Sequence, residues 1–298
     1  MRIAVILIIG IFLTFAVILF AQPGSASFIF LRISAGSRPA ALAEAVTASG
    51  DDITSSFYNP ALLRSFRGKN QAAFMYNSYF KDVSQNYFGL GFKGKKMSIG
   101  GYLSLGRVAD IQRWEDPDTA SLGTFEENNF IGALTTAYSF EYFDMGISVK
   151  YAYEKIDYAT ANSFMVDVGI YKVVTEEIGA GAAVKNIGGK TKFVSESYPL
   201  SREFRLGASY KPSYFKNSLE VLGDAVFYSD IDTKFNFGVE YNYRRSFTLR
   251  SGYGLGYDSR GISFGGGVNY RQFKFDYAFV NYKNDLGNTH RFTVGVQF

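Results

Sequence analysis

The chain alternates apolar and polar residues with a period of two over most of its length, and this pattern restricts the fold more than any other feature. A period of two sends successive side chains to opposite faces of a β-strand, so each such run predicts a strand with one apolar face. Fourteen runs follow one another: residues 70–80, 86–93, 97–107, 128–140, 143–155, 162–172, 177–186, 203–211, 218–229, 233–243, 246–255, 260–270, 272–282 and 289–298. Each has about the length that a tilted strand needs to cross a bilayer, roughly 9–11 residues.

Alternation alone fits a membrane barrel or a soluble sandwich, and the connections between the runs decide between them. Connections after even-numbered runs are tight, as at Gly94–Lys96. Those after odd-numbered runs are longer, notably Val108–Glu127, Ile156–Ala161, Ile187–Arg202 and Lys283–Asn288. Short periplasmic turns and long outer loops are typical of outer-membrane proteins. Residues 70–298 therefore predict an all-β, transmembrane antiparallel barrel of about fourteen strands in a bacterial outer membrane, with lipid as its surroundings.

Composition agrees with a barrel and excludes several other classes. Aromatic residues make up 17% of the chain, beside 31 glycines and 6 prolines, which favours strands joined by glycine turns. A mean hydropathy of −0.03 excludes a bundle of transmembrane helices beyond the N-terminus. The net charge of +4 is too mild and scattered for nucleic-acid binding. Without cysteine the chain has no disulfide or thiolate metal site.

Residues 1–26 are predicted to be a signal peptide. Arg2 precedes an apolar stretch from Ile3 to Ala21, and small residues allow cleavage near Ser27 or after Ala21. The alternative is an uncleaved anchor, since the stretch is long enough to span a bilayer.

Residues 27–69 differ from the rest of the chain, because they are rich in alanine and lack the alternation. Ser37, Asp51 with Asp52, and Asn59 followed by Pro60 each have the form of a cap that opens a short helical turn. We predict that this segment is a compact plug inside the barrel. With an even number of strands after the plug, both chain termini would lie on the periplasmic side.

The plug segment also carries a family resemblance. Its residues Phe30, Leu31, Ile33, Gly36, Arg38, Pro39, Ala40, Asp51, Asp52, Asn59, Pro60 and Ala61 resemble the N-terminal signature of the PorV/PorQ family. Those proteins are outer-membrane barrels related to the FadL fatty-acid transporters. The resemblance implies an accessory of a type IX-like secretion system, with secreted cargo or other secretion components as partners. It also leaves open a FadL-like channel for long-chain fatty acids or other hydrophobic molecules, and a purely structural barrel. Among the outer loops only Val108–Glu127 and Ile187–Arg202 are substantial, which disfavours a deep ligand pocket and favours the partner-binding role.

Two further regions are candidates for contacts. The long outer loop holds the only tryptophan, Trp114, and Phe125, as a partner or ligand contact. The last strand resembles the signal that barrel-assembly machinery recognises, through Phe292, Val294, Val296 and Phe298. The single histidine, His290, has no partner at ligand spacing, so we predict no catalytic site, metal or cofactor.

Charged residues recur on the polar faces of the strands, and an unpaired charge facing lipid costs several kcal/mol. We therefore expect Lys150, Glu154, Asp167, Lys185, Arg205, Glu220, Asp224, Glu240, Arg250, Lys274, Asp276 and Arg291 to face the lumen. They would pair with one another and with plug residues such as Arg32, Arg38 and Asp52, or line a polar conduit. The glycines at Gly265–Gly267 and at Gly179 and Gly181 would admit the plug closely or help the wall to open sideways.

Overall fold

A closed barrel of fourteen antiparallel strands forms most of the structure, as the alternation predicts. The computed structural model describes residues 26–66, 68–79, 82–114, 121–193, 195–216, 218–284 and 287–298. The barrel strands are β1 (Asn70–Ser78), β2 (Val83–Lys93), β3 (Met97–Gln112), β4 (Thr124–Ser139), β5 (Asp144–Ile156), β6 (Ala159–Val173), β7 (Ile178–Gly188), β10 (Glu203–Tyr210), β11 (Leu219–Tyr228), β12 (Lys234–Tyr243), β13 (Phe247–Leu255), β14 (Arg260–Tyr270), β15 (Phe273–Tyr282) and β16 (Gly287–Gln297). Two short strands, β8 (Lys190–Phe193) and β9 (Glu196–Pro199), pair as a separate hairpin between β7 and β10.

Each of the fourteen predicted runs corresponds to one barrel strand. Neighbours along the chain pair antiparallel, and β1 closes the barrel on β16 with Ala72 opposite Val296. Closure leaves no open sheet edge, which is the condition for a sheet in lipid. The predicted signal peptide is almost wholly outside the described residues and stays a prediction. No helix within the described part of the chain is long and apolar enough to span a bilayer.

Two of the predicted long loops are partly strand, so both connections are shorter than predicted. β3 and β4 continue past Val108 and pair again at Ile111 and Phe125, after a shift in register. β5 and β6 are joined by only two residues, Asp157 and Tyr158. Polar residues interrupt the alternation in both places, whereas the backbone hydrogen bonds of a hairpin do not depend on side-chain polarity.

The barrel has an apolar exterior and a charged interior. Exposed outward side chains on the strands include Phe74, Leu103, Leu134, Val149, Phe164, Val239, Leu249 and Phe292. All twelve charged residues that the sequence assigns to the lumen are buried. Apolar residues outside and charged residues inside are the reverse of the distribution in a soluble protein. They are the arrangement of a barrel that spans a bilayer.

The plug fills the lumen as four short helical turns. They are a 3-10 helix at Ile29–Arg32, α1 at Ser37–Ala41, and 3-10 helices at Ile53–Phe57 and Pro60–Arg64. From residue 34 to residue 63 every residue is buried except Glu44, Gly50 and Asp51. A further 3-10 helix, Ser213–Phe215, lies in the connection between β10 and β11.

The plug runs through the lumen from one end to the other. We call the end with the connections after β1, β3, β5, β7, β11, β13 and β15 the loop end, and the opposite end the turn end. Ser27 lies at the loop end, where its N–H donates to the carbonyl of Pro199 at 3.0 Å. Arg64 lies at the turn end and donates to the carbonyls of Gly94 and Lys95, both at 2.9 Å. The prediction that both termini share one side is therefore wrong for Ser27, because composition says nothing about the direction of a segment inside a barrel.

Candidate functional site

The caps at the turns of the plug mostly agree with the sequence. Asp52 accepts a hydrogen bond from the N–H of Thr54 at 2.9 Å, and Asn59 accepts one from Ala61 at 3.1 Å. Pro60 follows at the first helical position, as predicted. The cap predicted for Ser37 is wrong, since Gly36 precedes α1 as its cap.

Ser37 forms hydrogen bonds with the barrel wall instead. Its hydroxyl lies 2.8 Å from the hydroxyl of Thr293 on β16, and its N–H donates to the same oxygen at 2.9 Å. All three groups are buried, so each needs a partner inside the lumen. A wall residue more than 250 positions away therefore replaces the local cap, and no local signal reveals it.

Arg38 is the main ionic contact between plug and wall. Its guanidinium donates to Glu240 at 2.9 Å, to the hydroxyl of Ser49 at 2.7 Å and to the Ser49 carbonyl at 3.1 Å, and lies 3.5 Å from Glu220. Burial by itself would lower the pKa of Arg38, but the carboxylates of Glu240, Glu220 and Asp51 outweigh it and raise that pKa. Arg38 is therefore a fixed positive charge that holds α1 against β11 and β12.

The contact extends into a chain of alternating charges along the wall. The Arg250 guanidinium pairs with both Glu240 and Asp276, each at 2.6 Å. Lys274 lies 3.3 Å from Asp276 and returns to the plug, at 2.5 Å from Asp51 and 3.1 Å from Asp52. This series of ion pairs links Arg38 of the plug to the wall and the wall back to Asp52 of the plug. The predicted pairing of the lumen charges with Arg38 and Asp52 is therefore confirmed.

A second network holds the middle of the plug. Arg205 on β10 donates to the hydroxyl of Thr47 at 2.8 Å and to the carbonyl of Glu44 at 2.6 Å, and pairs with Asp224 at 3.0 Å. Asp224 in turn accepts from the N–H groups of Val46 and Thr47 at 3.1 and 3.0 Å. Backbone groups that a helix or sheet would normally satisfy are satisfied here by the wall.

Lumen-facing glycines let the plug backbone touch the strands. A Cβ on Gly146 would lie 2.3 Å from the carbonyl carbon of Pro60, and one on Gly181 would lie 2.2 Å from the carbonyl oxygen of Thr47. A Cβ on Gly265 would lie 2.4 Å from the side-chain Cβ of Ala41 on the plug, so this glycine also admits the plug closely, as predicted. The pairing of β13 with β14 is continuous past Gly265–Gly267, so these glycines do not break the wall.

We expect the capping residues to keep the plug seated. The double change Asp52→Ala and Asn59→Ala removes both caps, the Lys274–Asp52 ion pair and the hydrogen bonds from Asn59 to the carbonyls of Thr47 and Ile170. Each lost cap costs about 1 kcal/mol, so the barrel should unfold at a lower temperature and conduct more ions in planar bilayers. Asn288→Ala, which removes an exposed hydrogen bond to Asn281, is the matched control. Unchanged melting and conductance in the double variant would show that these caps do not hold the plug.

An apolar cavity of about 640 Å³ opens above the plug at the loop end. We call it the mouth cavity, and it is lined by Ala26, Ser27, Phe28, Ile29, Phe30, Ile33, Tyr79, Val83, Val108, Glu127, Glu154, Ile156, Phe193 and Tyr198. The first residues of the plug form its floor, the ends of β2 to β5 form its wall, and the β8–β9 hairpin contributes Phe193 and Tyr198. The short outer loops disfavour a deep ligand pocket, and the structure has a sizeable but open cavity at this end of the barrel.

The mouth cavity was missed because its residues are dispersed in the sequence. In the sequence, Phe30 and Ile33 belong to the plug motif, whereas Val83, Val108 and Ile156 lie at the ends of predicted strands or in predicted loops. Only the cluster of apolar residues at the start of the plug gave a signal. Loop length does not predict this cavity, because the plug and the short β8–β9 hairpin supply lining residues that long loops supply in other barrels.

The other predicted contact residues lie apart from this cavity. Trp114 is 52% exposed beyond the end of β3, and Phe125 packs under the guanidinium of Arg113 at 5.7 Å. Neither lines the mouth cavity, and their role in binding a partner stays a prediction.

The structure also shows the surroundings of the last strand and of the single histidine. Phe292 and Val294 point outward and are exposed, Val296 is half-buried, and Phe298 is exposed while its backbone pairs with Asn70. Recognition of this strand by assembly machinery stays a prediction. His290 is exposed, 2.8 Å from the hydroxyl of Tyr277. Among the described residues, no group of three or more histidine or acidic side chains could hold a metal ion.

Comparison with solved structures identifies the fold. The P. putida toluene transporter TodX is similar with a TM-score of 0.66 at 12% identity, over 87% of this chain and 98% of TodX. The Ralstonia pickettii toluene transporter TbuX gives 0.65 at 12% identity, over 91% and 100%. A Pseudomonas aeruginosa FadL homologue gives 0.57 at 10% identity, over 88% and 97%. No protein-family model matches the chain, and neither does any curated protein.

At these identities the likeness establishes the fold, a FadL-like barrel, and leaves activity open. TodX and TbuX are described as toluene transporters, and the third structure as a FadL homologue. None of the three is described as a PorV or PorQ protein, so that part of the resemblance is still a prediction.

Proposed function

We propose that this protein is a bacterial outer-membrane channel that admits small hydrophobic molecules through the mouth cavity. The observation that carries the proposal is the apolar cavity itself. It lies at one end of the lumen and is large enough for a monoaromatic compound or part of an acyl chain. The likeness to hydrocarbon channels supports the same class of cargo.

The orientation in the membrane follows from the two ends of the barrel. The loop end has the two longest connections, between β3 and β4 and between β7 and β10. In this proposal the loop end with the mouth cavity faces outward, and the turn end faces the periplasm. A hydrophobic solute would then meet the cavity first, before it reaches the plug.

The route onward is not straight through the lumen, because the plug and its ion pairs fill the space below the cavity. We propose a lateral exit through the wall. The ladder between β3 and β4 loses its register between Val108 and Ile111, and Val108 lines the mouth cavity. Register shifts of this kind are the points at which a wall is locally unpaired. A hydrophobic molecule leaving there avoids the charged lower lumen.

Filling the cavity tests the proposal. Val83→Trp adds an indole to the cavity wall and should reduce uptake of labelled toluene several-fold by cells with an intact outer membrane. Leu105→Trp places the same side chain on the exposed exterior of β3 and should leave uptake unchanged. Equal uptake by both variants and the parent, at matched expression, would contradict the proposal.

The secretion-accessory role rests on the N-terminal signature alone. The structure gives that signature another explanation, since Arg38, Asp52 and Asn59 all bind the wall or cap the plug. Affinity purification from native outer membrane, with mass spectrometry of proteins and lipids, separates the two roles. Secreted proteins with a shared C-terminal domain would favour the accessory role, and a bound hydrophobic molecule would favour the channel.

A further inference from the structure

The mouth cavity is apolar but not electrically neutral. Among its lining residues, all of which the structure describes, two are acidic, Glu127 and Glu154, and none is basic. The cavity therefore offers a carboxylate to whatever enters it, and no positive group that could bind an acid.

Glu154 is the more significant of the two. Its side chain is on the lumen face of β5 and the residue is 9% exposed. Asn129 is its cross-strand neighbour, but the amide of Asn129 donates to Glu127 at 3.2 Å. Within the described part of the chain, no ion pair or hydrogen bond reaches the Glu154 carboxylate. A carboxylate this far from water is unfavourable without a hydrogen-bond donor. A ligand that brings a donor group to Glu154 would therefore be stabilised in the cavity.

Three other cations of the plug and the lumen bind groups other than Glu154. Arg32 pairs with Asp230 and Ser201, and Arg291 donates to Asn77 at 3.2 Å and to Ser34. Lys150, also on β5, pairs with Asp167 at 2.7 Å. None of these residues forms an ion pair with Glu154 in the described part of the chain, so the two acidic residues of the cavity have no positive partner there.

Aromatic side chains complete the environment. The cavity is lined by Phe28, Phe30, Tyr79, Phe193 and Tyr198. Aromatic faces attract cations as well as apolar groups. Carboxylates beside aromatic rings are complementary to an apolar molecule that ends in a protonated amine.

We propose that the mouth cavity selects hydrophobic molecules that carry a protonated amine and rejects those that carry a carboxylate, with Glu154 as the specificity-determining residue. This inference rests on the proposed channel function and specifies its substrate class. A fatty acid would place its own negative charge against Glu127 and Glu154 without a positive partner. A neutral alcohol of the same size would bind between the two extremes.

The test uses three probes that differ only in their polar end: 4-phenylbutylamine, 4-phenylbutanol and 4-phenylbutyrate. Their binding to the full chain in phosphatidylcholine nanodiscs is measured by calorimetry at about pH 8.5, where the amine is still protonated and acidic side chains are ionised, with empty nanodiscs as the reference. The amine should bind at least about tenfold more tightly than the acid. The isosteric change Glu154→Gln should abolish most of that difference.

Glu126→Gln is the control, because Glu126 is exposed and pairs with Arg107 outside the cavity. It should keep the preference for the amine. If all three probes bind equally, or the acid binds best, the inference is wrong and the channel stands. If no probe binds and Val83→Trp leaves uptake unchanged, the channel proposal fails and the inference fails with it.

Discussion

Replacing Gly146 with alanine is expected to unseat the plug. The new Cβ would lie 2.3 Å from the carbonyl carbon of Pro60 and 2.5 Å from the nitrogen of Ala61. Both atoms belong to the backbone, so no side chain can rotate away, and either β5 or the plug must move. Overpacking of this kind costs about 1–3 kcal/mol or more. The melting temperature should fall, and the conductance of single barrels in planar bilayers should rise.

Gly295→Ala is the matched control for this change. Gly295 also faces the lumen from a strand, on β16, but its nearest neighbour would lie 3.7 Å from the new Cβ, an ordinary contact. Since alanine is otherwise better suited to a strand than glycine, this variant should be as stable as the parent. Parental conductance and melting in Gly146→Ala would mean that the plug is not held against β5 as described.

The change Arg38→Met is expected to destabilise the barrel by about 3 kcal/mol. It leaves Glu240, Glu220 and the two groups of Ser49 buried and without the guanidinium. Breaking a buried pair by removing one partner typically costs 3–5 kcal/mol. We expect the lower end, because Arg250 still pairs with Glu240 and Lys211 still lies 3.4 Å from Glu220. Reversible unfolding in urea measures the effect.

Arg107→Met removes an arginine from an exposed pair with Glu126 and should leave the free energy of unfolding nearly unchanged. A large difference between the two variants therefore separates the lumen network from ordinary surface pairing. Equal stability of the two variants would show that the ion pairs around Arg38 contribute little to holding the plug.

Several parts of the fold were predictable because their signals are local. All fourteen strands follow from alternation, since each strand must present an apolar face to lipid and a polar face to the lumen. The caps at Asp52 and Asn59 follow from residue types adjacent to the turns they open. The inward direction of the charged residues, such as Lys274, follows from the cost of exposing a charge to lipid.

Other parts depend on residues far apart in the chain. Ser37 gives up its local cap for Thr293, and Arg38 finds Glu240 across the lumen, because the closed barrel brings β12 and β16 to the same plug helix. The hairpin extension of β3 and β4 was hidden by polar residues whose backbone still pairs.

The barrel, its polar lumen and its plug can be derived from the amino-acid sequence alone, because a period of two and the cost of buried charge act on each residue wherever it lies. The direction of the plug and the mouth cavity can be known only from the folded chain. Both depend on which strand ends surround Phe28 and Phe30, and on the β8–β9 hairpin closing over them. The unpaired carboxyl group of Glu154 likewise became visible only when its neighbours in space, rather than in sequence, were known.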